Sequence, residues 1–548
     1  MTQKESTNMD ATRSSLGRLA ALCALPVIAL AGLVLATDPS SAAATSSRRV
    51  AVHIDSGLVR GLDGGAIATY LGIPYAAPPT GNLRWRPPQR VTAWRGVRDA
   101  SQFGPSCPQA QAKNPFLPPG ALSEDCLYLN VYAPASPGRS GRRPVLVWIH
   151  GGGLVQDGAR NYDGSKLAAN GVVVVVTINY RLGALGFLAH PALAASPGGP
   201  AGNYGWMDQQ AALRWIQRNI AGFGGDPRNV TIAGQSAGGL SVLAHLVSRG
   251  SHGLFQRAIV QSGAFALQQQ PLADAESAGQ DFADVVGCAQ HTADCLRHAS
   301  VTDLVNDFGV AIPGYVDGSV LTESIGAALA GGRFARVPVL NGINHDEERL
   351  FVDALGIAVS GGTDALIPDQ PITDANYQSD IAAVMGVSAA RAANVVAEYP
   401  TSAYASADVA FSTLVSDANF ACPARQVDQW TSPRVPTFGY QFNDDNAPFV
   451  LAPPTYFPAV ATHDSELPYL FDQPNTPFPA TLDSGQQALA DTMRAAWANF
   501  AARGDPSSPA LTWPSYAYGA SVMSLATPQS AASSSFAAMH HCAFWNAG

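Results

Sequence analysis

Lysine is almost missing from this chain of 548 residues. Lys4, Lys113 and Lys166 are the only three, and arginine supplies the rest of the 32 basic side chains. With 41 acidic residues the formal net charge is −9. No basic block occurs, so the electrostatic footprint of a nucleic-acid or anionic-membrane partner is absent. Charge is sparse altogether, at 13%, beside 47% hydrophobic residues. That balance excludes a disordered chain and provides for a large core. No two cysteines stand in C-x-x-C spacing, which removes the common zinc-site pattern. There is no internal repeat. There is also no linker long enough to part independent domains, although length alone would allow roughly three.

What is present begins with a leader. Lys4, Arg13 and Arg18 precede an apolar run from Leu19 to Ala36. Small-residue cleavage sites follow at Val34-Leu35-Ala36 or Ala42-Ala43-Ala44. Residues 1–44 therefore read as a secretory signal peptide, with 45–548 as one large domain. Pro26 and Gly32 interrupt the run, which argues against a retained anchor. No later stretch reaches spanning length without polar interruption. Removing Cys23 with the leader leaves six cysteines, an even number that suits bridges in an exported chain. Six cysteines allow 15 pairings, and spacing does not choose among them.

The sharpest local signal is Val230-Thr231-Ile232-Ala233-Gly234-Gln235-Ser236-Ala237-Gly238. A β-branched run enters G-x-S-x-G, and an apolar small-residue segment leaves it. That is a strand, a sharp turn and a helix with one serine at the apex, the form of a nucleophile elbow. Side chains two residues either side of Ser236 would collide with neighbouring backbone, hence the glycines. A second signal is the buried strand Val145–Ile149 running into His150-Gly151-Gly152-Gly153. Consecutive glycines on a strand end let backbone N–H groups aim into a cleft. Strand and helix patterns alternate from there on, which gives the α/β class with a sheet covered on both faces.

A serine nucleophile needs a base, and the base needs an orienting acid. In an elbow enzyme the order along the chain is serine, acid, histidine. Among the histidines after Ser236, His345 and His463 both follow predicted strands. Glu347 follows the strand at 337–340, with Asp346 and Glu348 as rivals. Position alone leaves these choices open.

Assembled, the motifs resemble the type-B carboxylesterase/lipase family of the α/β-hydrolase fold, which includes the cholinesterases. The resemblance runs from about residue 50 to 546. It is carried by Phe223-Gly-Gly-Asp-Pro through Gly239, by Glu124-Asp-Cys-Leu-Tyr-Leu-Asn-Val131, and by the C-terminal Cys542-Ala-Phe-Trp-Asn546. It implies a mostly parallel twisted sheet flanked by helices. It implies Ser236 as nucleophile, Glu347 as acid and His463 as base. The oxyanion hole would be the N–H groups of Gly152, Gly153 and Ala237. The implied bridges are Cys107–Cys126, Cys288–Cys295 and Cys422–Cys542. Arg84 with Glu124, and Arg181 with Asp208, would be internal ion pairs. Asp226 and Pro227 would terminate a helix, and Ser262 would support the site through hydrogen bonds.

The implied function is a secreted hydrolase of carboxylic esters, small-molecule or lipid, working through an acyl-enzyme with no metal or organic cofactor. Acting on long-chain lipid esters, or serving as a non-catalytic binding relative, are the alternatives. Gln235 stands where many relatives carry glutamate, and the Cys107–Cys126 loop holds no tryptophan. Both departures argue against a cationic substrate. Glu348 replaces the family's usual glycine after the acid.

Overall fold

A 13-stranded sheet organises the molecule. The computed structural model describes residues 48–111, 117–135, 141–169, 172–194, 201–306, 308, 314–360, 363–368, 371–449, 457–476, 479–517 and 519–547. The expected leader at 1–44 lies outside the described residues. Ser47–Gly548 forms one compact unit.

The sheet strands are β1 (Arg48–Ile54), β2 (Gly57–Asp63), β3 (Ile67–Pro74), β4 (Val97–Asp99), β5 (Tyr128–Pro134), β6 (Arg143–Ile149), β7 (Val174–Ile178), β8 (Gly225–Gln235), β9 (Arg257–Gln261), β10 (Val339–Asn344), β11 (Thr437–Phe442), β12 (Val522–Leu525) and β13 (Ala531–Ser533). They lie in the order β1-β2-β3-β5-β7-β6-β8-β9-β10-β11-β12-β13, with β4 beside β2. The run from β7 to β12 is parallel throughout. Antiparallel pairs close both ends, β1 through β5 on one side and β12 with β13 on the other.

The continuous apolar strands follow from burial on both faces. Alternate side chains of one strand leave in opposite directions. Val145, Val147 and Ile149 of β6 join Val230 and Ile232 of β8 in one core. Leu146 and Trp148 of β6 join Ala233, Ile259 and Leu340 in the other. The main helices are α1 (Tyr204–Asn219), α2 (Ala237–Val247), α3 (Tyr377–Val384), α4 (Ala389–Glu398), α5 (Ala407–Ser416), α6 (Cys422–Thr431) and α7 (Ser484–Arg503). α1, α2 and α6 cover the first face, and α7 covers the second. α3, α4 and α5 build a separate cluster around Ile381, Val395 and Phe411.

Local chemistry explains the helix ends. Asp483 and Gln486 form a capping box at the start of α7, which satisfies two otherwise orphaned N–H groups. Gly504, at φ 78°, ends it. The end of α1 departs from expectation. Gly224, at φ 82°, makes the stop, while Asp226 and Pro227 already belong to β8. Among the described residues no single helix is long and apolar enough to cross a membrane.

Parallel strands deliver their carboxyl ends to one edge of the sheet, where ligand crevices form. At that edge lie the loop after β6, the turn after β8, Ser262 after β9, Glu347 after β10 and His463 itself.

Candidate active site

The turn between β8 and α2 contains one residue, Ser236, at φ 55° and ψ −126°. Non-glycine residues seldom adopt that region, and it persists only where neighbours enforce it. The Ser236 N–H donates to Gln261 O at 2.8 Å, and Leu240 N–H donates to Ser236 O at 2.9 Å. A β-carbon on Gly238 would stand 2.0 Å from Ile149 O. One on Gly234 would stand 2.5 Å from the Gly238 carbonyl carbon. The glycines are thus fixed by close backbone approach, as the elbow pattern required.

The loop after β6 lies directly on this turn. A β-carbon on Gly151 would be 3.1 Å from Ser236 Cβ. Gly152, Gly153 and Leu154 follow with φ 80°, 62° and 64°. This left-handed run is what glycine permits most cheaply. Behind it His150 is buried and stacked on Tyr180 at 4.4 Å. Burial pushes the His150 pKa down to about 3, so the ring is neutral. Tyr180 OH donates to His150 O at 2.8 Å. Asp157, buried beneath the loop, accepts from Gly158 N, Asn161 Nδ2 and Tyr162 OH at 2.6–2.7 Å.

The structure brings Glu347 and His463 together. His463 Nδ1 lies 2.5 Å from Glu347 Oε2, and both side chains are buried. Asn344 N–H donates to the other carboxylate oxygen at 2.8 Å. The far nitrogen of the ring, Nε2, lies 3.1 Å from Gln235 Nε2, one residue before Ser236. Phe351 and Phe420 flank the ring, with centroids at 5.0 and 5.4 Å. The rival groups point elsewhere. His345 Nδ1 pairs with Asp346 at 2.8 Å, and Asp346 also pairs with Arg349. Glu348 is buried, and its N–H donates to Ser416 Oγ.

Several carboxylates set the charge around His463. Burial acts to lower its pKa, but Asp464, Glu347 and Glu466 together outweigh burial and raise it to about 9. Burial also raises Glu466 to about 7, against two hydrogen bonds that favour its charged form less strongly. Glu466 is held by Asn344 Nδ2 at 2.7 Å and Gln261 Nε2 at 3.0 Å. Gln261 in turn accepts from Trp497 Nε1 of α7 at 2.8 Å.

The remaining expected residues fall as follows. Cys107–Cys126, Cys288–Cys295 and Cys422–Cys542 are bonded. Arg84 forks onto Glu124 at 2.6 and 2.7 Å. Arg181 forks onto Asp208 at 2.7 and 2.8 Å. Ser262 meets expectation only through its backbone: at φ 49° its N–H donates to Gly342 O at 2.8 Å, while its buried hydroxyl has no hydrogen-bond partner among the described residues. Sequence reasoning missed Asp464, Phe351 and Phe420. Only the adjacency of Asp464 to His463 gave any signal, since the two phenylalanines come from the short helical turns Leu350–Leu355 and Asp417–Ala421. Among the described residues no group of His, Cys, Asp and Glu is arranged to hold a metal ion.

Comparison with known proteins gives this geometry a family. The model of the carboxylesterase family matches residues 48–545. The chain is 37% identical over 475 residues to acylcarnitine hydrolase of Mus musculus, covering 82% of this chain and 81% of that one. It is 35% identical over 518 residues to fumonisin B1 esterase of Sphingopyxis macrogoltabida, covering 90% and 89%. It is 34% identical over 481 residues to para-nitrobenzyl esterase of Bacillus subtilis (strain 168), covering 84% and 91%. With the mostly parallel covered sheet, these likenesses establish that the chain belongs to the carboxylesterase family, has the α/β-hydrolase fold and is a carboxylic ester hydrolase.

Proposed function

We propose that the chain is an exported serine hydrolase of small carboxylic esters, with Ser236, Glu347 and His463 as its catalytic residues. One observation carries the reading. A single buried ring, His463, is held at Nδ1 by Glu347 and faces the Gln235–Ser236 turn with Nε2.

In this reading His463 Nε2 takes the proton from Ser236 Oγ as that oxygen bonds to the ester carbonyl carbon. The carbonyl π pair moves to oxygen, which the N–H groups of Gly152, Gly153 and Ala237 receive. Each such donor contributes about 3 kcal/mol to the transition state. α2 starts at Ala237, so the positive end of its dipole adds to the same effect. The tetrahedral species collapses, and the alcohol departs with the proton from His463. Water then gives its proton to His463 and attacks the acyl–Ser236 carbonyl, and His463 returns that proton to Ser236 Oγ as the acid leaves. Glu347 keeps the ring in the tautomer that leaves Nε2 unprotonated and stabilises the imidazolium. No step calls for a metal or organic cofactor.

Export rests on the leader at 1–44 and on three bridges that persist in oxidising compartments. The domain that acts is 45–548. Ser236→Ala tests the chemistry on a chromogenic short-chain ester. The expected result is a loss of about 10^4-fold or more in kcat, with loss of phosphonate labelling. Turnover near that of the wild type would overturn the assignment.

A further inference from the structure

Glu347 fixes one nitrogen of His463. The other nitrogen, which takes the serine proton, also has a built surround that the three-residue mechanism leaves without a role. Gln235 Nε2 stands 3.1 Å from His463 Nε2. Asp464 Oδ1 stands 3.9 Å from the same nitrogen. Burial raises the Asp464 pKa, and the neighbouring Gln235 side chain acts against that rise. We infer that Asp464, acting through Gln235, is a second positioning residue for His463, holding the Nε2 edge of the ring as Glu347 holds Nδ1. The inference rests on His463 being the base.

The hydrogen-bond chemistry is consistent in both protonation states of the ring. With its Nδ1 proton directed at Glu347, the neutral ring offers a lone pair at Nε2. The Gln235 amide has two N–H groups, one that can rest against that lone pair until the Ser236 hydroxyl takes it and one for the Asp464 carboxylate. When the ring takes the serine proton, Nε2 becomes a donor and the amide N–H no longer suits it. A carboxylate on the same side then favours the cation, while the new N–H is directed at the departing alcohol. A glutamate at 235 could serve the cation but could not donate to the neutral ring.

The backbone argues that Asp464 is there for its side chain. It sits at φ 70°, where glycine is free of strain and aspartate is not. Its carboxylate is 8% exposed, and burying a carboxylate is unfavourable unless its partners compensate. A turn alone requires neither feature. The charged and titratable groups around the pair are few. Glu347 and Glu466 face the ring, and Asp157 and Tyr162 face Asp464 from the loop after β6.

The test is the pH profile of kcat/KM on a soluble chromogenic ester. Asp464→Asn removes the charge with little change of shape. Asp464→Gly removes it while relieving the backbone, so it keeps the test alive if the asparagine variant folds poorly. Both should move the acid limb to lower pH by about one unit, a tenfold rise in the neutral fraction of the base below the limb. Both should also lower the plateau kcat several-fold. Gln235→Glu should move the limb upward, and Gln235→Glu with Asp464→Asn should bring it back toward the wild type. A merely structural role would not produce that return. An unmoved limb in folded Asp464→Asn and Asp464→Gly would overturn the inference. Failure of the underlying reading has a separate sign: full turnover by Ser236→Ala, whatever the limb does.

Discussion

Gly238 has no room for a single methyl group, because its β-carbon would lie 2.0 Å from Ile149 O and 2.8 Å from His150 O. Both obstacles are backbone, so relief requires moving β6 or α2. Gly238→Ala should therefore cost about 3 kcal/mol or more in urea unfolding. Gly224→Ala is the control. Its φ is 82°, yet nothing lies within 4 Å of the new carbon, so only conformational strain of about 1–2 kcal/mol applies. Near-equal losses would show that the elbow glycine is not set by close approach. Glu347→Gln bears on chemistry instead of stability. The amide can still accept from Nδ1, but the negative charge that stabilises the imidazolium is lost. The expected fall in kcat is about 10^2- to 10^4-fold, measured with unchanged thermal unfolding. The wild-type pH profile belongs to the same scale. The base works only when neutral, and its neighbours raise it to about 9. kcat/KM should thus climb about tenfold per pH unit below that value, and a profile already flat at pH 7 would contradict it.

Elements were legible in the sequence wherever burial and period agreed. β7 and the later parts of β6 and β8, Val145–Ile149 and Val230–Ala233, are mainly apolar because both faces are covered, and the run itself shows that. α7 declared itself through Met493, Trp497 and Phe500, all buried against the sheet. The start of β8 was not legible. Phe223-Gly-Gly-Asp-Pro looks like a helix terminator followed by a loop, but the strand begins within it at Gly225. Turn residues at a strand entrance and at a helix exit are the same residues, and only pairing with β6 decides between them. The bridges act at this scale too. Cys422–Cys542 spans 120 residues and ties the C-terminal segment Cys542–Asn546 to α6, whereas Cys288–Cys295 spans 7. In the chain-entropy account these separations correspond to about 5 and about 2 kcal/mol. Replacing both cysteines of the long bridge with serine should lower the unfolding midpoint more than the same change in the short one. The reverse order would show that local packing, and not loop closure, dominates.

At the scale of the whole molecule, the strand before Glu347 is marked plainly in the sequence, but the choice of Glu347 over Asp346 and Glu348 came from the family resemblance. The Asp464–Gln235–His463 contact was not read there, because it depends on how far the turn at His463 and Asp464 leans toward the end of β8 across the sheet edge. The same limit hid the histidines that set acid stability. His150 and His245 lie buried on the covered faces, and burial is the main cause that pushes each down to about 3. His245 is hydrogen-bonded to Gln209 Oε1 at 2.8 Å and Ser251 Oγ at 2.9 Å, partners that suit a neutral ring. The unfolded chain holds these histidines near the ordinary value of 6.5. Between 6.5 and about 3 the unfolded state therefore binds the extra protons and the folded state does not. Stability from these groups is complete above pH 6.5 and is lost as pH falls toward 3. His463 carries the opposite sign. Its folded value is raised, so its contribution is complete below pH 6.5 and fades as pH rises toward 9. The two are separable by substitution. His245→Gln, far from the elbow chemistry, should lower Tm at pH 7 through lost packing. It should also narrow the gap between Tm at pH 7 and at pH 4.5 relative to the wild type. If that gap is unchanged in the variant, His245 is not buried as the neutral ring, and the acid lability of the protein has its origin in the carboxylates instead.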